Sequence, residues 1–325
     1  MIGLIKSKRL HYSRLAKAWF PIANFPSPTW AGVAVLLPNG KIYIGPTGGG
    51  GLSLVGQIYD PATNTYTEAT TGASNDIYFY GMCLLSNGKV IHAGGVDVSA
   101  QIDITTVLLY DPVDDTIEAK ASLPFPRKHS RMLSVGDEAL CFGGANGNTV
   151  VDTVYTYVPA TDTWNTSRAT MPAVRESGVV ARHGDYIYYF GGRAALSSSN
   201  SLNTIFRYNI TTDAWTTLAT TMPAALFAAS LAVVDGKFWI MGGAILTGSG
   251  GTRTDSAETY VFDPSTELFV QDASGAYAHA DLRLPYVRGS LAGVTPINND
   301  VYLFGGNDGA VGTPSSFVYK QKAIL

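Results

Sequence analysis

Two adjacent glycines close an apolar run five times in this chain, at Gly94-Gly95, Gly143-Gly144, Gly191-Gly192, Gly242-Gly243 and Gly305-Gly306, spaced by 49, 48, 51 and 63 residues. The runs before them, such as Ala139 to Phe142 and Val301 to Phe304, have the character of buried strands. Paired glycines at a strand end imply positive φ or close approach of another backbone. Self-similarity near fifty residues points to a propeller or solenoid. The 325 residues therefore read as one large closed unit rather than two unrelated domains.

A second mark follows each doublet: an aromatic residue, six residues, then another bulky apolar residue. It appears as Tyr59 to Tyr66, Tyr110 to Ile117, Tyr157 to Trp164, Tyr208 to Trp215 and Phe262 to Phe269. The intervening segments, such as Asp-Pro-Ala-Thr-Asn-Thr after Tyr59, are turn chemistry between antiparallel strands. Upstream of the doublets stand further tight turns, among them Asn39-Gly40, Asn87-Gly88, Gly136-Asp137, Gly184-Asp185 and Asp235-Gly236. Asn-Gly and Asp-Gly predict two-residue hairpins. Each repeat is then a four-stranded antiparallel meander, the blade of a β-propeller.

A Gly-Gly pair followed by Tyr, six residues and Trp resembles the kelch-repeat family over about residues 18 to 320. The resemblance implies an all-β, six-bladed kelch-type β-propeller of four-stranded antiparallel blades. The first repeat departs from the pattern, with Ile44-Gly45-Pro46-Thr47 where the doublet belongs. The sixth stops early, because only six residues follow Tyr319. The missing strand stands at the other end: Lys17 to Pro26 resembles the stretch Asp162 to Pro172. Trp19 is therefore predicted to supply the fourth strand of the last blade and close the ring.

Residues 1–17 carry Lys6, Lys8, Arg9, Arg14 and Lys17 and no acid, in a chain of net charge -3. They read as a basic N-terminal docking arm for a protein partner or neighbouring subunit, and residues 18–325 as a single propeller. The arm lacks the apolar stretch of a secretory signal, and no segment is apolar enough to span a membrane. A virion component and a cytoplasmic protein both fit; nucleic acid is not the expected partner. Cys83 and Cys141 fall at different phases of neighbouring repeats, so neither a disulfide nor a metal spacing is expected.

In a meander the turns within each blade after the first and third strands are short and share one face. The loops after the doublets and the links between blades share the other, and they are long and varied. Counting sixteen or seventeen residues back from each doublet, and aligning the first repeat by its Asn-Gly turn, gives a ring of Trp30, Tyr78, Arg127, Arg175, Leu226 and Arg288 at the channel mouth. Two residues on come Tyr80, His129 and Ser177. Trp30, Tyr78, Tyr80, Arg127, His129, Arg175 and Arg288 are the candidate ligand-binding residues: guanidiniums for a planar anion, aromatics for a sugar face or protein contact. An alternative reading has the arginines tie adjacent blades together. Kelch propellers bind partners through this face, which the resemblance extends to these positions.

No cofactor or metal is expected. A galactose-oxidase-like copper site needs converging histidines, whereas His92, His129, His183 and His279 fall at four phases of the repeat. Glu176 follows Arg175 and should alternate to the other side of its strand. The expected function is a non-enzymatic binding or adhesion module in a larger assembly, such as a virion surface or tail component that recognises a host glycan or protein. The alternatives are a sugar-modifying enzyme resembling sialic-acid mutarotases and an intracellular kelch scaffold.

Overall fold

The computed structural model describes residues 19–26, 33–46, 56–70, 77–97, 99–196, 200–247, 252–285, 292–293, 300–306 and 318–322. These residues form six four-stranded antiparallel sheets, with small ribbons added to three of them. Blade 3 shows the pattern: Arg131–Val135 lies innermost, then Glu138–Phe142, Val154–Val158 and, outermost, Thr163–Asn165. The last blade consists of Ala292–Gly293, Asp300–Phe304, Val318–Lys322 and Trp19–Pro21. Trp19 pairs with Gln321 and Pro21 with Tyr319, so the N-terminal strand closes the ring as the sequence predicts.

The second strand of each blade is largely apolar after its first residue because it is covered on both faces by neighbouring blades. In Tyr186–Phe190 the last four residues are buried, whereas the outer strand Thr65–Glu68 is mostly exposed. The core is correspondingly divided among the seams. Separate clusters fill the seams between blades 1 and 2, around Tyr43 and Tyr110, and between blades 2 and 3, around Ile91 and Cys141. Others fill the seams between blades 3 and 4, around Phe142 and Tyr189, and 4 and 5, around Phe190 and Phe238. The last two join blade 5 to blade 6 through Trp239 and Trp19, and blade 6 to blade 1 through Tyr302 and Ile42. The recurring aromatic pairs face each other across the third and fourth strands, as in Tyr157 opposite Trp164 and Tyr208 opposite Trp215.

The glycine doublets are where the next blade's link docks. A Cβ on Gly94 would lie 2.2 Å from the Arg127 carbonyl, and one on Gly143 would lie 2.2 Å from that of Arg175. In blades 2, 3 and 4 the second glycine donates to that link carbonyl, Gly95 at 2.7 Å, Gly144 at 2.8 Å and Gly192, to Leu226 O, at 2.9 Å. The doublet thus offers a bare backbone surface followed by an N–H, and both glycines take positive φ.

The tight turns divide into two kinds, which corrects the expectation of uniform two-residue hairpins. Blades 3 and 5 turn on two residues, with Val135 opposite Glu138 and Val234 opposite Lys237. Blades 1 and 2 instead use three, Pro38-Asn39-Gly40 and Ser86-Asn87-Gly88. There Leu37 N–H bonds the Lys41 carbonyl and Leu85 N–H that of Lys89. Gly40 and Gly88, at φ 80° and 82°, occupy the left-handed position that ends such a loop.

Candidate functional site: the channel mouth

The extra turn residue in blade 2 moves its inner strand by one position and corrects the ring. Four residues at the inner-strand starts share positive φ: Phe79 at 60°, His129 at 56°, Ser177 at 53° and Ala228 at 51°. They are joined blade to blade, with His129 N–H donating to Phe79 O at 2.7 Å, Ser177 N–H to His129 O at 3.1 Å, and Ala228 N–H to Ser177 O at 2.7 Å. The residue in register with His129 is therefore Phe79, not Tyr80, and Ile77 rather than Tyr78 corresponds to Arg127. Left-handed backbone is costly for a residue such as Phe, and these inter-blade hydrogen bonds account for it.

Tyr78 lies one place earlier, in register with Lys128, Glu176 and Phe227. Lys128, Glu176 and Phe227 are bridged to the residue after the doublet, Ala145, Arg193 and Ala244 respectively, while Tyr78 pairs with Val96. Tyr78 thus stands on the mouth, its ring 4.4 Å from that of Phe79, which in turn lies 4.1 Å from the His129 ring. Tyr80 turns into the seam between blades 1 and 2, where it is buried and its hydroxyl donates to Pro46 O.

Arg127 and Arg175 lie in the walls. Arg127 is 2% exposed. Its Nη1 donates to Gly143 O at 2.9 Å and Thr153 O at 3.2 Å, its Nη2 to Thr153 Oγ1 at 2.7 Å, and the guanidinium covers the Tyr155 ring at 4.2 Å. Arg175 repeats this one blade on, with Thr204 Oγ1 at 2.7 Å and the Phe206 ring at 4.5 Å. Both guanidiniums thus hold the incoming link to its own blade. Trp30, Arg288 and the arm residues Lys6, Lys8, Arg9, Arg14 and Lys17 lie outside the described residues.

The polar centre of the mouth is Glu176, whose side chain has no exposure. Arg193 Nε and the Ser177 hydroxyl both donate to its carboxylate, and His129 Nδ1 is 4.0 Å from Oε2. Glu176 does lie on the other side of the backbone from Arg175, as expected, but it is the Glu176 side that meets Arg193 and the mouth, while Arg175 turns into the wall. Arg193 stacks on Phe227 at 4.3 Å. Burial, helped by the charges of Arg131, Arg193 and Lys128, holds His129 down to about 3, so its imidazole is neutral near pH 7. Lys128 pairs with Asp103 at 3.1 Å. Arg193, Lys128 and Phe227 escape the sequence reading, which discounts Glu176 as a partner of Arg175; the signal that finds them is the residue directly after each doublet and its bridge partner. Among the described residues no group of three His, Cys, Asp or Glu is gathered for a metal. No helix there is long and apolar enough to cross a membrane.

Below the mouth runs the central channel, about 540 Å³ in volume and lined by the inner strands, with Met82, Met132, Val180 and Leu231 beside Arg131 and Arg182.

Six four-stranded blades around a central channel, the last completed by the N-terminal strand, define a six-bladed β-propeller. The chain belongs to the kelch-repeat family: residues 58–243 match the model of the KLHDC2/KLHL20/DRC7 Kelch-repeats domain. Similar proteins include Kelch-like protein terF of Aspergillus terreus, 26% identical over 275 residues that cover 79% of this chain and 56% of that protein. Kelch-like protein 35 of Mus musculus is 25% identical over 256 residues, 78% of this chain and 41% of the relative. Beta-scruin of Limulus polyphemus is 28% identical over 158 residues, 47% of this chain and 17% of the relative. The chain thus spans about half or less of the length of these curated relatives. The solved structure titled Structure of YjhT superposes with a TM-score of 0.74 at 15% identity, over 92% of this chain and 99% of that one, and shares the fold.

Proposed function

We propose that the protein is a non-enzymatic binding module that takes a protein partner on the face carrying the doublet loops. One observation carries this reading: three two-stranded ribbons rise on that face directly after the doublets. They are Val96–Asp97 with Ile102–Asp103, Ala145–Asn146 with Thr149–Val150, and Ala244–Leu246 with Arg253–Asp255. Each begins with a residue bridged to the mouth, so the ribbons are held before a partner arrives, which lowers the entropic cost of binding. Ile102, on the first ribbon, and Phe125, in the following link, are 57% and 60% exposed and supply apolar contact.

The basic arm at residues 1–17 supports the wider reading of a module docked in a larger assembly, with the loop face turned outward as an adhesion surface. The test is capture of a cognate partner by the intact chain and by an Ile102→Ser/Phe125→Ser variant. Binding should weaken at least tenfold with the melting temperature held. Equal capture by both would refute the loop-face reading. A glycan array probed with the intact chain decides whether the ligand is a sugar.

A further inference from the structure

Three guanidiniums near the neck of the channel, Arg127, Arg131 and Arg175, make no salt bridge among the described residues, although the Glu176 carboxylate acts on Arg131 through space. Arg127 and Arg175 bond carbonyls and threonine hydroxyls. Arg131 Nε donates to Gly178 O, and its Nη1 reaches Ser130 O at 3.4 Å, too long to be a strong bond. Glu176, the acid of this neighbourhood, is already held by Arg193 and Ser177. The neck of the channel thus carries surplus positive charge inside a chain of net charge -3. A buried cation supported only by neutral dipoles is costly and favours a bound counter-anion.

Of the three, Arg131 is the one on the channel. Its Nε is spent on the wall, which leaves the Nη1–Nη2 edge, two parallel donors that match the two oxygens of a carboxylate. Around it the lining is largely apolar, with Met82 and Met132 among it. The channel volume of about 540 Å³ falls within the range of small-molecule sites. The lining also holds the hydroxyls of Ser130, Ser134 and Ser230, but the single charged donor edge near them suits one negative charge better than a phosphate dianion.

We propose that a small monocarboxylic acid with an apolar body binds in the central channel, its carboxylate on the Nη edge of Arg131 and its body against Met82 and Met132. This site is separate from the loop face and stands whether or not that face takes a protein partner.

The test titrates the intact protein with benzoate by calorimetry, with benzamide as the neutral isostere. Benzoate should bind saturably at one site, with benzamide at least tenfold weaker. Arg131→Gln should weaken benzoate at least tenfold, while Arg182→Gln, at the other end of the channel, changes it less than twofold. No saturable benzoate binding, equal binding of benzamide, or full binding by Arg131→Gln would overturn the proposal. Should Arg131→Gln fail to fold, methyl spectra of methionine-labelled wild-type protein decide. Benzoate must shift the Met82 and Met132 resonances, and shifts elsewhere alone refute the site. Loss of partner capture in Ile102→Ser/Phe125→Ser with benzoate binding intact separates this inference from the loop-face reading.

Discussion

A single carboxylate should decide whether the seams are latched as the structure indicates. Asp162 sits in the turn between the third and fourth strands of blade 3 with φ 50°. It accepts the Ala121 N–H of blade 2 at 2.9 Å and the hydroxyl of fully buried Tyr157 at 2.7 Å. The latch recurs with Asp115, which takes Thr70 N–H and Tyr110, with Asp213, which takes Ala169 N–H and Tyr208, and with Asn64, which takes Ala23 N–H and Tyr59. Asp162→Ala strands the Tyr157 hydroxyl, a loss of about 1–3 kcal/mol. It also places alanine in a left-handed turn, which adds roughly 1 kcal/mol. The expected total is about 2–4 kcal/mol. Asp162→Asn keeps the single Oδ1 that accepts both bonds and a residue type tolerant of this φ, as Asn64 does naturally, and should cost less than about 1 kcal/mol. In a Tyr157→Phe background the penalty of Asp162→Ala should shrink by about 1 kcal/mol or more, because no hydroxyl is left stranded. Urea unfolding followed by tryptophan fluorescence at pH 7 measures all four variants. If Asp162→Asn proves as damaging as Asp162→Ala, charge rather than turn geometry sets the effect. An Asp162→Ala protein within about 0.5 kcal/mol of wild type would refute the latch altogether.

The remaining predictions concern the doublet, pH and ring closure. Gly143→Ala should lower the melting temperature severely, because its Cβ would meet the Arg175 carbonyl at 2.2 Å, whereas Gly136→Ala, with nothing within 4 Å, should cost only about 1 kcal/mol. Thermal scans that rank the two the other way contradict the docking role. Burial depresses His92 from 6.5 to about 3, so between those values the unfolded chain binds a proton that the folded chain refuses, and stability falls as pH drops below 6.5. The slope reaches about 1.4 kcal/mol per pH unit for each such histidine, His129 being the second. His92→Phe should therefore remove about half of the histidine-driven slope between pH 6.5 and 4.5 in a melting series. An unchanged slope would count against His92 as the source. Trp19→Ala should destabilise by about 3–5 kcal/mol through loss of its packing on the blade 5–6 cluster and of the Nε1 bond to Leu282 O at 3.2 Å. Unaltered unfolding in that variant would mean the ring does not depend on its terminal strand.

The fold was legible because all the blades meet one packing problem with one set of marks. Every inner link needs a backbone dock, hence Gly143-Gly144 under the Arg175 carbonyl. Every outer strand needs a cross-strand partner, hence Trp164 against Tyr157. Repetition multiplies such signals, and even the displaced strand at Trp19 could be matched to its counterpart. The mouth is different, because its function would lie in what does not repeat. Tyr78, Lys128, Glu176 and Phe227 share a position and almost no chemistry. Nothing in the pattern marks Glu176 as a buried acid, since it is held by Arg193, its bridge partner seventeen residues on, and by the Ser177 hydroxyl.

The register error in blade 2 shows how narrow the margin is. An Asn-Gly pair is compatible with both a two-residue hairpin and a three-residue loop closed by left-handed glycine. Choosing between them moves Phe79 or Tyr80 onto the ring, and a one-residue shift sends a side chain to the opposite face. Tyr80 thereby passes from presumed ligand contact to seam packing, while the neighbouring Phe79 takes the left-handed place that His129, Ser177 and Ala228 also occupy. Positive φ at that place accompanies the row of inter-blade hydrogen bonds from blade 2 to blade 5, whatever residue stands there. The backbone of the mouth in blades 2 to 5 is thus set by this row of bonds, and its side chains differ from blade to blade. That separation lets the same scaffold hold a buried acid at Glu176, an aromatic stack at Tyr78 and Phe79, and an unpaired cation at Arg131 within one circuit of the channel.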